Sequence, residues 1–226
     1  MVRQGKRYRA DIKDFDRDAA LPLTDAIGKL KSFKTTKLRQ SVDICMHLGI
    51  NPKQADQAVR GSLSLPHGIG VSRRVIAFCK SDVVEQAKEA GAIEAGGEEL
   101  VAKVEGGWLE FDVAVASPDM MRLVSKLGRA LGPKGLMPSP KSGSVTPNIV
   151  DAVKEFTAGK VEFRNDDGGN IHATIGKIDF EPTQLEENAQ AFIDAIEKMK
   201  PASTKGQYVK KITVSGTMTP GVQIAQ

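Results

Sequence analysis

Glu162, Arg164, His172 and Thr174 place a carboxylate, a guanidinium, an imidazole and a hydroxyl at two-residue spacings on either side of a turn. Val161 and Phe163 share one parity before that turn, and Ile171, Ala173 and Ile175 share another after it. Between them, Asn165-Asp166-Asp167-Gly168-Gly169 is a strong turn signal. Lys160–Lys177 is therefore expected to form a β-hairpin with one apolar face. Alternation would set the four polar residues together on the other face. Such a face, with a fixed cation and no large apolar group, suits either a solvated sheet or a platform for a polyanion.

Two further stretches have unusual composition. Ser215-Gly216-Thr217-Met218-Thr219-Pro220-Gly221 combines small residues that admit a partner backbone, hydroxyls that can reach ribose or phosphate groups, and one polarizable methionine. The plain alternative is a frayed turn. Leu131–Gly143 holds three prolines, three glycines and two lysines, a long loop for a compact domain. Its Gly132-Pro133-Lys134-Gly135 resembles the backbone clamp of KH domains, but Pro138 and Pro140 forbid the helix that clamp requires. A rigid surface loop is the simpler reading.

Enzymatic and metal chemistry find little support. His47, His67 and His172 are scattered, and neither a metalloprotease nor a nucleophile-elbow motif occurs. Cys45 and Cys79 lack metal or redox spacing and read as buried free thiols. An enzyme using a nucleotide is the alternative from another class. However, Lys80-Ser81-Asp82 follows the first buried strand where phosphate-cradling glycines would be needed. No cofactor and no metal are expected.

The 226 residues are 40% hydrophobic and 27% charged, enough for a globular chain of one large or two small domains. No apolar run approaches 18 residues, and Met1–Asp18 has no signal-peptide core, so a cytoplasmic protein without a membrane span is expected. Net charge is +4. Residues 67–159 hold 11 basic and 12 acidic residues, leaving 21 and 16 for the rest. The chain ends are thus net +5 against −1 for the middle, with Met1–Pro66 contributing most of the excess. That segregation points to a polyanion-facing domain built from the ends.

The elements divide in the same way. Arg3, Lys6, Arg7 and Arg9 lie in a basic segment read as a mostly flexible arm. Leu23–Phe33 has helical spacing, and Ser41–Leu48 alternates as a half-buried strand. Asn51-Pro52 has the form of a helix start, and Arg60–Leu65 alternates again. After Pro66–Gly70 the pattern changes to fully apolar strands, Val75–Cys79 and Phe111–Ala116, separated by helices. Those helices are expected from Ser81 to Gly91, over Glu98–Val104, and from Ser117-Pro118 to Gly128. Such an order implies parallel βαβ units. Beyond a helix near Pro147–Phe156 and a break at Thr157–Gly159, the hairpin follows. Next come a strand over Lys177–Phe180, a helix capped by Thr183 and Glu186, and a last strand over Tyr208–Gly216. The helix sets Leu185, Ala189, Phe192, Ile196 and Met199 on one stripe. The expected architecture is an α+β domain from residues 1–66 and 160–226. A three-layer α/β domain, Rossmann-like without a dinucleotide site, is inserted at 67–159, and its two connections would make a hinge.

Several long motifs, in order, resemble the ribosomal protein L-one family, the side-stalk proteins of the large ribosomal subunit. They are Gly61–Gly70 (GSLSLPHGIG), Lys126–Val145 (KLGRALGPKGLMPSPKSGSV), Gly159–Lys177 (GKVEFRNDDGGNIHATIGK) and Thr217-Met218 before Pro220. The resemblance implies a split two-domain fold and no catalysis. It implies binding to large-subunit ribosomal RNA, with Lys37, Leu38, Ser41, Arg164, His172, Thr217 and Met218 on one RNA surface, to which strand parity adds Ser215 and the charge of the hairpin's last residue adds Lys177. It also implies a role in release of deacylated transfer RNA from the exit site, possible repression of the protein's own messenger, and a monomer when free of the ribosome. Two positions depart from the family pattern. Leu38 stands where an aromatic is usual, and Thr219 where glycine is usual, so a β-branched residue occupies a place suited to positive φ.

Overall fold

The computed structural model describes residues 5–13, 15–16, 19–33, 36–54 and 56–225. It divides into two compact units, Met1–Gly70 with Val161–Gln226, and Val71–Lys160. In chain order the strands are β1 (Ala20–Leu21), β2 (Ser41–Leu48), β3 (Arg60–Leu63), β4 (Val75–Phe78), β5 (Glu94–Gly96), β6 (Val113–Ala116), β7 (Val161–Arg164), β8 (Asn170–Lys177), β9 (Val209–Gly216) and β10 (Val222–Ile224).

The first unit is organised on β2, the middle of a five-stranded sheet ordered β1-β10-β9-β2-β8. Val42, Ile44, Met46 and Leu48 alternate inward and are buried, while Ser41, Asp43, Cys45 and His47 face out half-buried. This is the period-2 signature of a sheet with one covered face. The cover is the pair of helices Leu23–Ser32 and Pro182–Lys198, whose Ile27, Leu30, Leu185, Phe192 and Ile196 join one core with the sheet's inner residues. Burying each such side chain contributes roughly 1.5–3 kcal/mol.

The expected hairpin takes a different form. β7 pairs antiparallel with β3 in a two-stranded sheet, whereas β8 pairs with β2 in the five-stranded one. Between β7 and β8 only the isolated bridge Asn165–Ile171 survives. The turn is as strong as its composition implies, but it hands the chain from one sheet to another. Val161 and Phe163 found a better partner in Leu63 and Gly61. The Phe163 ring then stands edge-on to Phe192 at 5.5 Å, tying the small sheet to the long helix.

Other local expectations are corrected by side-chain chemistry. Lys6–Lys13 is a helix rather than a flexible arm, while Arg3 lies outside the described residues. Asn51 caps a turn, accepting the Lys53 N–H at 3.2 Å, and no helix follows. Ser81 is the first residue of a helix preceded by Lys80, not its cap. Gly128 is helical, so the turns after Ser117 run on to Leu131. Residues 178–180 form a turn, not a strand. The capping box is Glu181 with Gln184, and Pro182 sits at the first helical position. Met199 lies just beyond that helix and is exposed. The strand over residues 209–216 is followed by another, β10.

The second unit has three parallel strands ordered β5-β4-β6. All residues of β4 and β6 are buried. Ile76, Phe78, Ala114 and Ala116 pack with the helix Glu98–Glu105 and the turns through Leu131. Val75, Ala77, Val113 and Val115 pack with Ala87 and with the helix Ile149–Thr157. The Pro/Gly-rich loop is pinned by buried serines: Ser144 Oγ accepts the Ser139 N–H at 3.0 Å and lies 2.9 Å from Ser142 Oγ.

Candidate nucleic-acid interface

The outward face of the five-stranded sheet is a grid of short polar side chains. Across β9, β2 and β8 the register aligns Ser215, Asp43 and Thr174 in one row. Thr213, Cys45 and His172 make the next, followed by Lys211, His47 and Asn170. Two irregularities improve on simple alternation. The register of β2 against β8 shifts between Val42 and Asp43, so Ile175 and Gly176 both stay buried and Lys177 emerges opposite Ser41. A bulge thus re-aims a lysine onto the polar face. A second shift, between His47 and Leu48, leaves Lys210 exposed beside Lys211.

The grid ends in a close cluster. Lys177 Nζ donates to Ser41 Oγ at 2.7 Å. The Ser41 N–H donates to Thr217 Oγ1 at 3.0 Å, and the Thr217 N–H returns to the Ser41 carbonyl at 3.1 Å. Met218 follows, half exposed at 50%, with Leu38 exposed at 57% on the segment that leads into β2. Lys37 is also exposed, and Arg39 pairs with Asp179 at 2.6 Å. The helix Lys6–Lys13 reaches the same place, since Arg7 Nη2 donates to the Met218 carbonyl at 2.5 Å.

Of the expected site residues, Ser41, Lys177, Thr217 and Met218 are therefore brought together, and Ser215 and His172 lie on the same sheet face. Arg164 is not on that face: it is exposed on the two-stranded sheet, opposite Arg60. A second cationic pair on a separate small sheet replaces the single face expected for Glu162, Arg164, His172 and Thr174. Sequence reasoning missed Asp43, which accepts the Thr174 hydroxyl at 2.6 Å. It also missed Gln40, fully buried beneath the cluster. Cys45 is half-buried on the polar face rather than in the core. Burial raises the pKa of both thiols, with the Asp166 charge adding to it at Cys45, so neither is an activated nucleophile.

Asp166 organises the turn before β8. Its Oδ1 accepts the N–H groups of Gly168 at 2.9 Å and Asn170 at 2.7 Å, and its Oδ2 accepts Asn170 Nδ2 at 3.0 Å. His172 Nε2 stands 3.6 Å from Oδ2. Those bonds, the Asn170 side chain first, lower the carboxyl from the ordinary 3.8 to about 2. An acid with a depressed folded pKa stabilises the fold above its ordinary pKa and loses that contribution as pH falls toward about 2. In Asn170→Ala, the Asp166 carboxyl should titrate higher, short of the ordinary range because two backbone N–H donors remain. A carbon-13 NMR titration in which it does not move would contradict this account.

Among the described residues no group of His, Cys, Asp and Glu could hold a metal ion, and no helix is long and apolar enough to cross a membrane. What the grid and its end cluster can do chemically is hydrogen-bond a polar, anionic surface by hydroxyls and ammonium groups.

A model of the Ribosomal protein L1p/L10e family matches residues 30–220, which include the cluster and every strand that builds it. The chain belongs to that family. The large ribosomal subunit protein uL1 of Nocardioides sp. is 49% identical over 223 residues, covering 99% of this chain and 93% of that protein. This is a ribosomal protein and not an enzyme, which removes the nucleotide-using alternative. Its departure at Thr219 is accommodated. Among the described residues no side-chain-bearing residue has positive φ. Thr219 turns its hydroxyl inward to accept the Gly216 N–H at 2.7 Å. At Leu38 the exposed leucine offers apolar contact without a ring.

Proposed function

We propose that this ribosomal protein binds large-subunit ribosomal RNA at the mobile side stalk through the edge where Ser41, Lys177, Thr217 and Met218 meet. The observation that carries the reading is this juxtaposition of two hydroxyls, an ammonium and an exposed thioether, reached from three strands. Thr217 Oγ1 already accepts the Ser41 N–H at 3.0 Å and donates to the Ser41 carbonyl at the long distance of 3.4 Å, so a remaining lone pair, and the proton once that long bond is exchanged, are what it offers to RNA. A-form RNA presents 2′-hydroxyls and phosphates rather than major-groove base edges, and hydroxyl donors suit that surface. Lys37, Lys177 and Lys211 supply phosphate contacts, His172 and Ser215 extend the surface across the sheet, and Arg164 with Arg60 offers a separate cationic pair on the small sheet. The net +5 of the chain ends supports the same assignment. On this reading residues 1–66 and 160–226 are the RNA-binding domain and 67–159 an inserted α/β domain. The family resemblance extends the role to release of deacylated transfer RNA from the exit site and to repression of the protein's own messenger, in the cytoplasm and as a monomer when free.

The test is a binding titration of the full chain on its own large-subunit RNA over a range of salt. A handful of phosphate contacts gives a slope of log K against log salt of magnitude about 2–5. An affinity that ignores salt would rule out phosphate contacts as a main contribution.

A further inference from the structure

Gln40 is completely buried at the entrance to β2. Its Oε1 accepts the Met218 N–H at 2.9 Å, and its backbone carbonyl accepts the Ile178 N–H at 3.0 Å. The chemistry sets the amide orientation, since the opposite flip would aim an NH2 at the Met218 N–H. That same orientation leaves Nε2 buried with no hydrogen-bond partner among the described residues. A buried donor without an acceptor is destabilising, and leucine would fill similar space without it. Leucine would also leave the Met218 N–H without its acceptor, so the two effects offset, and what glutamine adds is a fixed position for the Met218 backbone. The rest of the turn is equally constrained. A Cβ on Gly216 would lie 3.1 Å from Thr219 Oγ1 and 3.2 Å from Gln40 Oε1, so both side chains close on the backbone of Gly216–Thr219. That turn carries Thr217 and Met218.

We infer that Gln40 is a positioning residue of the RNA interface: its amide oxygen holds the Met218 backbone and thereby sets where the Thr217 hydroxyl and Met218 thioether stand. The inference rests on the function proposed above. It differs from a packing role because it expects stability and binding to separate.

The experiment compares Gln40→Leu and Gln40→Glu in the full chain by thermal unfolding, amide hydrogen exchange and titration with its large-subunit RNA. Gln40→Leu should change Tm by no more than a few degrees, speed exchange of the Met218 amide at least about tenfold, and weaken RNA binding about tenfold with an unchanged salt slope. Gln40→Glu retains an acceptor at Oε1 and should keep the Met218 amide slow. In a chain already carrying Thr217→Val and Met218→Ala, adding Gln40→Leu should cost less than about threefold, because coupled residues do not add. Equal losses in both backgrounds would overturn the inference, as would fast Met218 exchange in Gln40→Glu. Full binding by Gln40→Leu while Thr217→Val/Met218→Ala is impaired would overturn it alone. Full binding by that pair as well would instead remove the RNA site on which it rests.

Discussion

A chain carrying Thr217→Val and Met218→Ala should bind its large-subunit RNA roughly 30- to 1000-fold more weakly, about 2–4 kcal/mol. Valine keeps the shape of threonine and removes the hydroxyl, so an RNA group that it meets is left desolvated and unpaired, at about 1–3 kcal/mol. Alanine at 218 removes a side chain that is half exposed in the free protein and would be covered by RNA. The salt slope should stay the same, because neither residue is charged. Tm should fall by a few degrees, because the Ser41 N–H loses its acceptor on Thr217. Unaltered affinity in the double variant would sink the site assignment and leave the fold untouched.

Asn188→Ala should destabilise the first unit by about 2–5 kcal/mol, one of the largest single-residue effects outside the apolar core. Asn188 is fully buried on the inner stripe of the helix Pro182–Lys198. Its Oδ1 accepts the His67 N–H at 3.1 Å, and its Nδ2 donates to the carbonyls of Gly68 at 3.0 Å and Ile175 at 2.8 Å. One side chain therefore satisfies three backbone groups from two separate segments. Removing it strands all three, each at a cost on the order of 1–3 kcal/mol unless water enters. Leucine at 188 should do no better, since the carbonyls would stay unpaired. Urea unfolding followed by far-UV circular dichroism measures the loss, and a change under about 0.5 kcal/mol would refute the satisfaction account.

Asn188 and Gln40 mark the limit of what could be read from the chain. The alternation of Ser41–Leu48 was legible because one face meets water and the other a core, and period 2 follows directly. Val75–Phe78 and Val113–Ala116 were legible as apolar runs because both faces are covered. Pairing was not. Whether Val161–Arg164 would join its neighbour across a strong turn or β3, about a hundred residues earlier, depends on competing long-range contacts that no local signal encodes. The bulge that turns Lys177 outward is equally silent, and Lys177 entered the expected site only as the cation that ends the hairpin. Asn188 did leave a trace, a polar residue three positions after Leu185 on an apolar stripe, but its partners are backbone atoms of distant segments. Gln40 left none.

The position of β2 has a consequence for synthesis. Both of its sheet neighbours, β8 and β9, come from residues 170–177 and 209–216, and β1 waits for residues 222–224. A nascent chain that has exposed Val42, Ile44 and Met46 has the helix Leu23–Ser32 to lay against them but no strand to pair with β2 until more than a hundred further residues have been added. The strands and helices of residues 71–160, by contrast, are complete in themselves well before that. The sheet begun in the first 70 residues therefore closes only after residues 71–160 have been made. Closing the loop late is the entropic burden of so non-local a sheet, and through that interval β2 is an apolar edge in need of shielding.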